Sequence, residues 1–145
     1  MAVRPYEYEQ TIAVSVTVPA NTPAGTLIQL DIVANPLTGA VQKEVVIPAS
    51  QSWYITDIYI KSADDVGVDA QAILQKNNVK VLLVTDPLSS LLISNPSRPR
   101  YPVLYYGPND RLSGYIRTLA ATGASPVTIT FYMKVRVVDT TFFSA

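Results

Sequence analysis

Residues 127–138 read Val-Thr-Ile-Thr-Phe-Tyr-Met-Lys-Val-Arg-Val-Val. Val127, Ile129, Phe131, Met133, Val135 and Val137 alternate with Thr128, Thr130, Tyr132, Lys134, Arg136 and Val138. A period of two puts one set on each face of a strand, the first apolar and the second largely polar. The same period runs through 11–18, where Ile12, Val14, Val16 and Val18 alternate with Thr11, Ala13, Ser15 and Thr17. Both runs read as half-buried strands. No stretch of ten residues shows the 3.6-residue period of an amphipathic helix.

Outward from these two runs the chain keeps the same habit. Ile28, Leu30 and Ile32 predict a strand, Val41 to Ile47 another, and Trp53 to Lys61 a fourth. The fourth carries bulk on both faces: Trp53, Ile55 and Tyr59 on one, Tyr54, Ile58 and Ile60 on the other. That pattern predicts a central strand, or one covered on its second side. Ala70 to Lys76 reads as a short strand, with one helical turn as the alternative; Val79 to Thr85 and Arg111 to Ala121 follow as strands, and Leu88 to Ser94 as a further short one. Between them lie turn and loop stretches: Pro19–Gly25, Asn35–Gly39, Asn77-Asn78 and Thr122–Pro126. The 14 residues from Asn95 to Pro108 hold four prolines and predict an extended connection. About eight strands joined by long, proline-rich connections predict an all-β fold, an antiparallel jelly-roll-like sandwich rather than an up-and-down barrel. The expected layout is an N-terminal arm at 1–9, one sandwich domain at 10–139 and a C-terminal tail at 140–145.

A chain of 145 residues suits one domain. It contains no cysteine and no histidine. Disulfide frameworks, Cys/His zinc sites, thiol nucleophiles and histidine acid–base chemistry are therefore excluded. No phosphate-binding loop, dinucleotide fingerprint or nucleophile elbow occurs. Asp64, Asp65 and Asp69 could offer oxygens to a calcium ion, but without EF-hand spacing they read as a solvated acidic loop. No catalytic residue, metal, cofactor or small-molecule substrate is expected.

Charge points instead to assembly. Only 15% of the residues are charged and the formal net charge is zero, a combination that favours association. The halves differ: residues 1–75 sum to −5 and residues 76–145 to +5. Such a split supplies complementary patches for neighbouring subunits, or the halves interleave and neutralise each other locally. Tyr accounts for nine of the thirteen aromatic residues, and Tyr and Arg are the types enriched at protein interfaces. The contact candidates outside the predicted core are Tyr6, Tyr8, Arg98, Arg100, Tyr101, Tyr105, Tyr106, Phe142 and Phe143. Arg98 and Arg100 beside Tyr101 could also stack on a nucleic acid strand, but a neutral chain with no basic arm disfavours that partner. No apolar run is long enough to span a membrane and no secretory leader is evident, so synthesis in a cytoplasm is expected.

Three places carry a resemblance to a known family. They are the strand ending at Val18 with its Pro19–Gly25 loop, the Trp53–Lys61 strand after Pro48, and the run from Tyr105-Tyr106-Gly107-Pro108 through Arg111–Thr118 to Val127–Val138. In these the chain resembles the single jelly-roll capsid subunits of tailless icosahedral viruses, including those of archaea. The resemblance implies a structural subunit of a self-assembling shell, located in the virion. Its partners would be copies of itself and other capsid proteins, and it brings no catalytic residues. The alternative is a ligand-binding or attachment β-sandwich, carbohydrate-binding or spike-like. It would need exposed aromatic platforms, whereas the one tryptophan, Trp53, falls in a predicted central strand.

Overall fold

The computed structural model describes residues 6–35, 39–92 and 102–140. Its longest strands are the two runs that set the period. β1 (Tyr6–Val18) and β11 (Val127–Asp139) pair antiparallel over thirteen residues without a break, from Tyr6 opposite Asp139 to Val18 opposite Val127. Ile12, Val14, Val16 and Val18 of β1 and Ile129, Phe131, Met133, Val135 and Val137 of β11 are all buried. Alternation alone thus selects the face that meets the second sheet.

The remaining strands are β2 (Leu27–Gln29), β3 (Asp31–Asn35), β4 (Ala40–Gln42), β5 (Val45–Val46), β6 (Gln51–Tyr59), β7 (Ala70–Lys76), β8 (Lys80–Val84), β9 (Leu104–Tyr106) and β10 (Arg111–Thr118). They form two antiparallel sheets, ordered β4-β3-β1-β11-β6-β9 and β2-β10-β7-β8, with β5 also pairing β10. With β3, β4 and β5 set aside as additions at the sheet margins, the other eight strands in chain order fall as first-eighth-third-sixth and second-seventh-fourth-fifth. That order is compatible with a jelly roll. The fold is an all-β antiparallel sandwich.

Four local readings differ from expectation. The strand expected across Ile28–Ile32 is two strands, because the chain changes sheets at Leu30. Ile28 pairs Ile116 in one sheet, the Leu30 N–H donates to the Gly114 carbonyl, and Ile32 pairs Val14 in the other. The strand expected across Val41–Ile47 breaks at Lys43 and Glu44, whose side chains reach Asp31 and Arg111. Leu88–Leu91 is a 3-10 turn rather than a strand, with Leu88 and Leu91 both buried and the Ser90 N–H closing on the Pro87 carbonyl. Tyr6–Glu9, expected in the N-terminal arm, extend β1, because Tyr6, Tyr8 and Gln10 continue the phase of Ile12 and pair along β11.

The two-faced bulk of β6 has a simple cause. Lys134 lies opposite Asp57 and Val135 opposite Ile55, so Thr56 is an extra residue in a β-bulge. The bulge shifts the phase by one. Trp53 and Ile55 before it and Ile58 and Ile60 after it all point inward and are buried. Asp57 Oδ1 accepts from the Ile58 N–H at the bulge, which supplies the partner a strand-borne carboxylate needs.

Gly114 on β10 makes the sandwich close. A Cβ there would lie 2.2 Å from the Ile73 carbonyl oxygen and 2.9 Å from Leu30 Cδ1. Only hydrogen fits between β10, β7 and the sheet-crossing residue. The β7–β8 turn uses Asn77 and Asn78 at φ 56° and 58°, a left-handed conformation that asparagine tolerates better than most side chains.

Candidate assembly interface

Four of the nine contact candidates lie within the described residues. Arg98, Arg100, Tyr101, Phe142 and Phe143 fall outside them. Tyr6 is 53% exposed, and its ring lies 5.4 Å from that of Tyr8. Tyr8 is half-buried against the core. Burial, and then the nearby Asp139 carboxylate, push its hydroxyl above the ordinary phenol pKa. The two rings finish the sandwich end where β1 and β11 terminate. Beside them Gln51 links Trp53 to Asp139: Trp53 Nε1 donates to Gln51 Oε1, and Gln51 Nε2 donates to Asp139 Oδ2, each at 2.9 Å.

Tyr105 stands outward on β9, 45% exposed, with its ring 5.1 Å from Tyr54 and the Lys76 ammonium 5.3 Å from its centroid. Arg136 flanks Tyr54 from the other side at 5.9 Å. These four side chains form a cation–ring–ring–cation row that runs from β11 across β6 to the edge strand β9.

Tyr106 corrects the expectation. It points inward, is fully buried, and donates its hydroxyl to the Gln75 carbonyl at 2.9 Å. Desolvation, and then the Asp110 charge, push its pKa far above the ordinary value. It ties β9 of one sheet to β7 of the other and has no surface to offer a neighbour. Adjacent residues of a strand face opposite ways, so Tyr105 and Tyr106 cannot share a role.

Two of the three acids of the loop are held by hydrogen bonds. Asp65 Oδ2 accepts from the Lys61 and Ser62 N–H groups, and Asp69 accepts from the Ser89 hydroxyl and from the Ala70 and Ser89 N–H groups. Among the described residues no group of three or more acids is placed to hold a metal ion. Trp53 is 4% exposed and presents no open ring to a sugar.

Cross-strand register assembles two outward surfaces. On the six-stranded sheet, Val41, Val33, Ala13 and Tyr132 lie in one row across four strands, and the row ends on Tyr59 of a fifth, which is buried. Around that row stand Glu7, Glu9, Asp31, Lys134 and Arg136. On the other sheet, Leu27, Val46, Val81 and Val84 are all about half exposed, beside Tyr115, Ile73, Arg111 and Arg117. This second surface is absent from the sequence-based candidates. Its signal is the off-phase apolar residue: Leu27, Val46 and Val81 sit where alternation calls for a polar side chain.

The two sheets thus close on one core and carry apolar side chains on both outer faces. Residues 3–145 match the model of the Sulfolobus polyhedral virus 1 major capsid protein VP4 family. The chain belongs to this capsid protein family. It is 31% identical over 142 positions to capsid protein VP4 of Sulfolobus polyhedral virus 1, spanning 92% of this chain and 78% of that protein. The chain is thus a structural protein of a viral capsid, located in the virion, and its geometry is to be understood as that of a capsid subunit.

Proposed function

We propose that this capsid subunit builds its shell by packing against copies of itself, with other capsid proteins as further partners, and that it catalyses no reaction. Synthesis takes place in the host cytoplasm. A rigid sandwich presents aromatic side chains at its ends and edges, and assembly buries them. The observation that carries this reading is the pair of exposed tyrosines backed by a second ring, Tyr6 on Tyr8 and Tyr105 on Tyr54. A ring held by a neighbouring ring loses little freedom on docking, which favours association. Arg98, Arg100 and Tyr101 in the proline-rich connection, and Phe142 and Phe143 in the C-terminal tail, complete the proposed contacts. Residues 1–5 and 141–145 are the segments proposed to reach neighbours.

The test is the assembled mass of a Tyr6→Ser/Tyr105→Ser double variant, measured by light scattering beside the parent. Both side chains are exposed, so the fold survives the change. The reading expects a clear fall in assembled mass at equal concentration. Equal mass for variant and parent contradicts these contacts.

A further inference from the structure

The outward side of the sheet β2-β10-β7-β8 combines two properties. Leu27, Val46, Val81 and Val84 stand on it between 46% and 56% exposed. No Asp or Glu occurs in β2, β5, β7, β8 or β10, so its outward strand charges are Arg111 and Arg117. Arg111 Nη1 lies 3.2 Å from Glu44 Oε1 in the preceding bend. Arg117 donates to Gln71 Oε1, a neutral acceptor, and forms no ion pair among the described residues.

The outward side of the six-stranded sheet carries acids, Glu7, Glu9 and Asp31, beside Lys134 and Arg136, with Arg136 opposite Glu9 in register. Glu9 is exposed there and likewise forms no ion pair among the described residues, while Glu7 is bridged to Arg136 at 3.3 Å and Asp31 to Lys43 at 2.9 Å. The row from Val41 through Ala13 to Tyr132 crosses the same side.

We infer that the outward face of the β2-β10-β7-β8 sheet of one copy packs on the outward face of the six-stranded sheet of the next copy, with Arg117 directed at Glu9. Charge decides against the symmetric alternative. Two identical β2-β10-β7-β8 faces would set arginines against arginines with no carboxylate in any strand to receive them, and like charges across an interface are costly. The six-stranded face supplies both the carboxylate and an apolar row. Four to five strands of up to eight residues span about 20 by 25 Å, so the contact buries on the order of 1,000 Å² in total, near the lower bound for a specific interface. Contacts between unlike faces pass from copy to copy and close into rings when the rotation allows. A nucleic acid partner fits worse, because phosphates need more cations than two arginines set among valines and a leucine. The inference rests on the shell reading and specifies how that shell is joined.

The absence of cysteine makes the test clean. Val84→Cys marks one face and Ala13→Cys the other. With a short bis-maleimide, a mixture of the two variants is expected to give covalent dimers and each variant alone is not. Dimers from Val84→Cys alone overturn the unlike-face arrangement. A chain that assembles with no cross-link in the mixture overturns this contact and leaves the shell reading standing. A chain that stays monomeric at every concentration overturns both. Arg117→Glu and Glu9→Arg should each lower the assembled fraction about tenfold or more, with the circular dichroism of the monomer unchanged. The two changes in one chain should restore assembly, and failure to do so overturns the Arg117–Glu9 pairing.

Discussion

On the six-stranded sheet, several outward charges are answered nearby, while Glu9 forms no ion pair among the described residues: Glu7 bridges Arg136, Asp31 bridges Lys43, and Lys61 lies 4.2 Å over the Tyr132 ring. On the opposite sheet, outward valines and a leucine stand half exposed, and the strands hold no carboxylate. The inner faces show no such contrast, since both contribute fully buried aliphatic side chains to one core. A sandwich needs only its inner faces to fold. The difference outside therefore reports on what each face meets after folding. The first carries acids and cations around an apolar row, and the second carries apolar side chains and arginines with no acid in its strands.

Removing what the sheets share should have the largest effect. Phe131 is the largest fully buried hydrocarbon side chain, on the central strand β11. Phe131→Ala is expected to cost about 4 kcal/mol in chemical denaturation, with both sheets melting in one transition. Two separate transitions would break the picture of a single core. Gly114→Ala acts on the β2-β10-β7-β8 sheet by forcing a methyl against the Ile73 carbonyl, and should cost about 3 kcal/mol. A cost near zero would mean that β7 can shift, and that this sheet is looser than its register implies.

The tie between the sheets should matter less. Tyr106→Phe removes the hydroxyl that reaches Gln75 across the sandwich, and the expected loss is about 1 kcal/mol. The smallest effect is expected at Asp110, which closes the same end. The Asn77 side chain donates to its carboxylate at 3.1 Å, and this holds its pKa below the ordinary 3.8. The Gly107 N–H at 2.8 Å and Lys76 at 3.8 Å act in the same direction, against partial burial. A carboxyl with a depressed folded pKa stabilises the fold above its unfolded value, and that stability is lost as pH falls through the folded value. Asp110→Asn should therefore flatten the fall in melting temperature below about pH 4. An unchanged acid limb would assign that sensitivity to other carboxylates.

How much of this was legible in the sequence depended on periodicity. β1, β10 and β11 follow from alternation because each keeps one phase over its length, whereas Ala70–Lys76, with Ile73 off the apolar phase, fitted a helical turn as well as the strand β7. The bulge at Thr56 hid the burial pattern of β6, since one extra residue turns a one-sided strand into an apparently two-sided one. The sheet change at Leu30 was illegible for the opposite reason: Ile28, Leu30 and Ile32 keep perfect alternation while their hydrogen-bond partners change. The turn at Leu88–Leu91 left a usable signal, two leucines three apart directly after Pro87, which fits a tight helical turn better than a strand. Interface residues were the least legible. Tyr106 looked like its neighbour Tyr105 until register set them on opposite faces. The surface around Arg117 exists only because β10 lies between Leu27 and Gln71, residues distant from it in sequence.

The central claim is that this capsid protein assembles with itself, and the mass of the purified chain in solution tests it most directly. Light scattering across a concentration series, with negative-stain images of the same sample, should show rings or closed particles of many copies. A monomer at every concentration would contradict the account.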